Sequence, residues 1–150
     1  MIKESLKSYG QRADKSMKTY LRIERLRLKI HNKTVSYLSE NNLTFNQFKV
    51  LEVLYHRGDL NIGSITKLTM STPGNTTVVI KNLKRDAWIT SIANPEDKRA
   101  SILTLTKKGR DIIEKVFPTH AQKLNSYFDA LDEKEIDTLY NLLDKLYQAN

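Results

Sequence analysis

The residues best suited to do chemistry lie between positions 71 and 99. Asn75, Thr77, Val78 and Asn82 fall on the exposed face of one short helix, with Ser71, Thr72 and Gly74 at its start. An asparagine amide can pair bidentately with adenine, and a valine can touch a thymine methyl. The Ser71 and Thr72 hydroxyls can bond phosphate, although capping the helix is their first use. Lys81, Lys84 and Arg85 suit phosphate contact or open solvent better than base readout. Farther on, Lys98 and Arg99 occupy a turn. A cation there suits the narrow minor groove of A·T-rich duplex, where the potential is most negative. Asp97 repels phosphate. It is expected to fix Arg99 through a carboxylate–guanidinium pair; capping the turn is the alternative, and the two roles can coexist.

Other chemistries find little footing. His31, His56 and His120 are scattered in sequence, without His-x-x-x-His or Glu-x-x-His spacing, so no metal site is expected. There is no cysteine, hence no disulfide, thiol sensor or Cys-ligated zinc. The chain has no Gly-x-Ser-x-Gly motif and no glycine-rich phosphate loop, and its five glycines do not cluster. The expectation is a binding protein that needs no cofactor, and not an enzyme. Tyr20, Tyr37, Phe48, Tyr55 and Phe117 could wall a pocket for a small aromatic effector, although such a set more often forms core.

These residues need a frame. Residues 14–40 read as one long helix with two apolar stripes, Met17-Leu21-Leu28-Val35-Leu38 and Tyr20-Ile23-Leu26-Ile30-Tyr37. A helix apolar on two sides needs two burial surfaces, its own domain and a partner chain. Thr44-Phe45-Asn46-Gln47 is a capping box, and Phe48, Leu51, Leu54 and Tyr55 continue it to a stop at Gly58. Ile62, Ile65 and Leu68 mark a short third helix. Thr72-Pro73 starts a fourth, which runs to about Asp86 with Thr76, Ile80 and Leu83 inward. Trp88–Ala93 and Ala100–Leu105 read as strands around the Asn94-Pro95-Glu96-Asp97 turn. Thr106 caps a fifth helix, which Pro118 should kink or break. Asp132 and Glu135 box a last helix with Leu139, Leu142, Leu143 and Leu146 along one side, and Leu131 can staple to Ile136.

Two short helices, a tight link, a third helix with a polar face and then a hairpin make a winged helix-turn-helix. Its geometry suits duplex DNA: the helix fits the major groove and the hairpin reaches a neighbouring one. The expected fold is mostly α with a small β-hairpin wing. One domain spans 1–150, with dimerisation helices in 1–40 and 111–150 and a DNA-binding lobe at 44–106. Charge agrees with that division. The net +8 divides into +6 over residues 1–43, +6 over 44–110 and −4 over 111–150, a basic body with an acidic tail. No apolar run approaches the roughly 18 residues needed to span a bilayer, and Met1–Ser5 lacks a signal-peptide stretch. The expected location is the cytoplasm. A basic adaptor for RNA or protein is the rival reading, but it has no use for Asp97-x-Arg99 at a hairpin tip.

The chain resembles the MarR family of bacterial regulators over nearly its whole length. Leu43-Thr44-x-x-Gln47-Phe48-x-x-Leu51, Asn75–Leu83 and above all Asp97-Lys98-Arg99-Ala100 followed by Leu105-Thr106-Lys107-Lys108-Gly109 carry the likeness. The resemblance implies a homodimer built from first and last helices on a pseudo-palindromic site, often released by small aromatic ligands. Departures are Val78 and Asn82 where the family often has Arg, Lys81 where an acid is common, Ala87 for the usual Gly, and Ser91 for a frequent Arg.

Overall fold

Five helices open on a side chain that accepts a backbone N–H of the first turn, and these caps set the chain's punctuation. Thr44 accepts from Gln47, Asn61 from Ser64, Thr72 from Asn75, Thr106 from Gly109 and Asp132 from Glu135. Thr44 and Asp132 complete reciprocal boxes with Gln47 and Glu135. The computed structural model describes residues 7–150. It contains α1 (Gln11–Glu40), α2 (Phe45–Arg57), β1 (Leu60–Asn61), α3 (Ile62–Leu68), α4 (Pro73–Arg85), β2 (Ile89–Ala93), β3 (Ser101–Leu105), α5 (Lys107–Ser126) and α6 (Glu133–Gln148). Part of the expected 1–40 arm, residues 1–6, lies outside the described residues.

Helix ends are closed by backbone geometry. Asn42, Met70 and Ala87 adopt left-handed φ values of 58°, 50° and 59°. Each sits where two returning N–H groups serve the last carbonyls, as Trp88 N–H to Leu83 and Ala87 N–H to Lys84 show at the end of α4. Gly58 also has positive φ, 84°, but its ψ of −161° is extended, a combination open only to glycine. It ends α2 by turning the chain straight into β1.

Two features depart from expectation and a third narrows an open alternative. α1 starts at Gln11, because Asp14 accepts the Tyr9 N–H at 2.9 Å and the Ser8 hydroxyl at 2.6 Å and so fixes the turn before it. β1 adds a third strand, giving the antiparallel order β1-β3-β2 with Leu60 opposite Leu103 and Ile89 opposite Leu105. α5 passes through Pro118 without a break. Pro118 stands on the exposed side, where solvent can serve the carbonyl it leaves without a donor. Two residues back, the Tyr37 hydroxyl donates to the Val116 carbonyl at 3.1 Å and ties α1 to α5.

Leu51, Leu54, Ile65, Leu83, Leu103 and Ile113 lie at the centre of the core, with Leu38 joining it from the end of α1. The first two thirds of α1 contributes nothing to it. Met17, Leu21 and Leu28 are exposed, and α6 buries no residue at all.

Candidate nucleic-acid interface and adjoining cleft

α4 is seated by Thr76, Val79, Ile80 and Leu83, which bury one side of it. The opposite side follows from the helical repeat: Gly74, Val78, Lys81 and Arg85 form the outermost row. Val78 is 58% exposed, high for an apolar residue that the fold could have buried. Asn75 and half-buried Asn82 lie on one flank of that row, Thr77 and Lys84 on the other. Thr77 donates its hydroxyl to the Pro73 carbonyl at 2.9 Å, so its methyl is what it offers outward. Gly74 faces open space; a Cβ there would meet no protein atom. Thr72 is engaged as the cap, and Ser71 is half-buried with its Oγ 3.3 Å from Lys49 Nζ. Arg85 pairs with Asp86 at 3.0 Å, while Lys81 and Lys84 make no ion pair among the described residues.

The wing is β2, β3 and the turn between them. Asn94 Oδ1 accepts the Glu96 N–H at 3.0 Å, and Asp97 Oδ1 accepts the Arg99 N–H at 2.9 Å. The expected carboxylate–guanidinium pair is therefore replaced by the turn-capping alternative. With the carboxylate held by the backbone two residues on, Lys98 and Arg99 project as exposed cations without an ion pair among the described residues. Thr106, at the base of β3, accepts the Gly109 N–H and donates its hydroxyl to the Ala87 carbonyl at 2.7 Å. That pair of bonds locks wing, α5 and the end of α4 together. Gly109 is required there, since a Cβ would run into the Trp88 carbonyl.

Behind this lobe, α1, α2 and α5 enclose a cleft of about 600 Å³. Each helix contributes a stripe at i, i+3 or i+4, i+7: Arg27, Ile30, His31 and Thr34; Phe45, Phe48, Lys49 and Glu52; Phe117, His120 and Leu124. The histidines that looked scattered converge here. His31 meets Phe45 edge-on at 4.5 Å, His120 meets Phe48 at 4.9 Å, and His56 packs 4.5 Å from Phe117 on its other side. Burial holds the His120 imidazole below its ordinary pKa. Of the five aromatic residues proposed from sequence, Phe48 and Phe117 line this cleft. Tyr37 is engaged with Val116, Tyr55 stacks under Arg110, and Tyr20 is 61% exposed on the free part of α1. Phe45, His31 and His120 were missed. Their i, i+3, i+7 spacing with other aromatic or apolar residues on three separate helices was the available signal.

The MarR family model matches residues 43–101, from the start of α2 to the start of β3. The uncharacterised HTH-type transcriptional regulator YkoM of Bacillus subtilis is 30% identical over 90% of this chain and 88% of its own length. The chain belongs to the MarR family of transcriptional regulators. Among solved structures, a Cys-to-Ser mutant of Escherichia coli MarR in complex with operator DNA is similar at a TM-score of 0.72 and 27% identity, over 85% of this chain and 95% of that one. Bordetella bronchiseptica BpsR, whose DNA binding is regulated by 6-hydroxynicotinic acid, is similar at a TM-score of 0.68 and 26% identity, over 84% and 98%.

Departures from the MarR pattern now have positions. Val78 lies in the outermost row of α4 and Asn82 on its flank, where Arg is frequent in the family. Lys81 adds a cation to the same row. Ala87 occupies a left-handed site with φ 59°, which explains the family's usual glycine.

Proposed function

We propose that the protein is a cytoplasmic, homodimeric repressor that reads a pseudo-palindromic duplex site and is released by a small aromatic acid. The observation that carries this reading is the outward row of α4 and its flanks beside two wing cations that make no ion pair among the described residues. Asn75, Thr77, Val78 and Asn82 reach bases in the major groove, with Asn82 on adenine and Val78 against a thymine methyl. Gly74 leaves a flat spot that packing does not demand, where a phosphate can approach the first turn of α4. Ser71 and Thr72 support that turn. Lys98 and Arg99 enter the adjoining minor groove.

Two copies meet through the exposed apolar faces of α1 and α6, with the 44–106 lobes outside. An interface of this kind buries on the order of 2,000 Å². It places the two recognition helices about 34 Å apart, one helical turn of DNA. The cleft opens between the 27–34 stretch of α1 and the 117–124 stretch of α5, beside α2, and a ligand lodged there changes that spacing. Its Phe48 and Phe117 rings suit an aromatic ligand, and 6-hydroxynicotinic acid, named for BpsR, has that chemistry. A tenfold loss of DNA binding requires a differential affinity of about 1.4 kcal/mol.

The test is a duplex shift with a salt titration. Steeply salt-dependent binding, with one selected sequence preferred over random duplex, is expected. Equal affinity for single-stranded RNA and for every duplex tried would favour the adaptor reading instead.

A further inference from the structure

Lys49 touches both the cleft and the turn that precedes the recognition helix. In the cleft it stands between Phe45 and Glu52, its Nζ 5.5 Å from the Phe45 ring centroid. The same ammonium donates to the Thr69 carbonyl at 3.0 Å and to the Ser71 hydroxyl at 3.3 Å. Lys49 is half-buried, so these bonds are partly shielded from water. The turn they hold is tight. Met70 carries a φ of 50°, the Ser71 N–H returns to the Thr66 carbonyl at 3.1 Å, and Thr72 follows directly as the cap of α4. A non-glycine residue in that conformation persists only where its neighbours over-determine it. Lys49 binds on both sides of it.

We propose that Lys49 couples the cleft to the recognition helix: the carboxylate of an aromatic acid in the cleft takes the Lys49 ammonium from Thr69 and Ser71, and so loosens the turn that sets α4. This rests on the aromatic-acid reading above and adds to it the anion-binding residue and the route. Other charged groups of the cleft do not supply that route. Arg27 is turned to Glu24 at 3.4 Å along α1. Glu52 faces His56 at 3.4 Å and repels an anion. His31 and His120 pack edge-on against Phe45 and Phe48. A carboxylate competes well for Lys49 because a bond between two ions is stronger than one from an ammonium to neutral oxygens. The coupling is reciprocal, so bound duplex must weaken the acid by the same factor that the acid weakens duplex.

The experiment compares wild type, Lys49→Met and Lys49→Arg in the full chain, with a duplex selected by the wild-type protein from a random pool. Methionine keeps an unbranched stem over Phe45 while removing the charge. Without ligand, Lys49→Met should bind the duplex several-fold more weakly and show faster amide exchange at Met70–Thr72, with Lys49→Arg close to wild type. Saturating salicylate or 6-hydroxynicotinate should weaken wild-type binding at least tenfold but Lys49→Met less than twofold; neutral salicylamide should release neither. Unchanged exchange and affinity in ligand-free Lys49→Met would overturn the link between Lys49 and the turn. Full release of Lys49→Met by saturating acid would overturn the route. Calorimetry showing that neither acid binds wild type, with the turn still loosened in Lys49→Met, would overturn the ligand step and the aromatic-acid reading while leaving the anchor in place.

Discussion

Arg99 stands at the tip of a turn that Asp97 has already closed through the backbone, so its guanidinium is free for a partner. Arg99→Ala should weaken operator binding by about 1–3 kcal/mol, as for loss of a charged groove contact. The melting temperature should not move, because an exposed tip side chain buries little. A still-folded variant with wild-type affinity in a fluorescence-anisotropy titration would remove the wing from the interface. His120 belongs to the same scale but acts on stability. Burial among Phe48 and Phe117 lowers its pKa in the folded chain below the ordinary 6.5. Between the two values the unfolded chain holds more protons, so stability from this group is present above pH 6.5 and is lost as pH falls through the folded pKa. Thermal melts from pH 7.5 down to about 5 should show that decline, and His120→Gln should flatten it.

At the scale of elements, α4 and the wing are joined by a few atoms. Ala87 closes α4 with a left-handed φ of 59° that disfavours any residue with a Cβ. Ala87→Gly should therefore raise stability by about 1 kcal/mol in chemical denaturation. An unchanged midpoint would mean that the loss of unfolded-state restriction offsets the relief. Gly109 sits in the first turn of α5 against the Trp88 carbonyl. Gly109→Ala should lower stability by about 1–3 kcal/mol, at the upper end because the obstacle is backbone. It should also weaken DNA binding in the fraction that remains folded, since the displaced Trp88 carries β2 with it. Wild-type stability would show that α5 can slide over the wing base.

The whole molecule leaves apolar surface open at both its ends. Met17, Leu21 and Leu28 on α1, and Tyr140, Leu142, Leu143, Leu146 and Tyr147 on α6, are exposed in one chain. A large exposed apolar patch on a monomer marks an interaction surface. The charge distribution supports a second copy: α1 lies in the +6 segment and α6 in the −4 segment. Leu142→Glu together with Leu146→Glu should convert a dimer to monomer in sedimentation velocity at micromolar concentration. The lobe should keep its fold, because neither residue is buried in it. Duplex affinity should fall by much more than for any single contact, as bivalent engagement is lost. A wild-type protein that sediments as a monomer would rule out this assembly.

Local signals carried most of the fold. Thr44, Thr72, Thr106 and Asp132 could be identified as caps because a cap depends on residues three positions apart. The wing hairpin was legible from β-branched runs around Asn94–Asp97; of the four residues expected to face outward from α4, Val78 holds the outermost row while Asn75, Thr77 and half-buried Asn82 lie on its flanks. What sequence could not supply was anything decided by residues distant along the chain. β1 has only two residues and no periodicity, and it exists because β3 offers it an edge. Pro118 left a kink and a break equally open, and the helix runs on because the freed carbonyl reaches solvent and Tyr37 ties the neighbouring Val116 carbonyl to α1. His31, His56 and His120 looked unrelated at separations of 25 and 64 residues, and packing of α1, α2 and α5 gathered them around Phe45, Phe48 and Phe117. Nothing in the sequence singled out Lys49. Only the tertiary structure puts its ammonium on the turn 20 residues away, because that contact requires α2 to pack across α3 before any distance between them is defined.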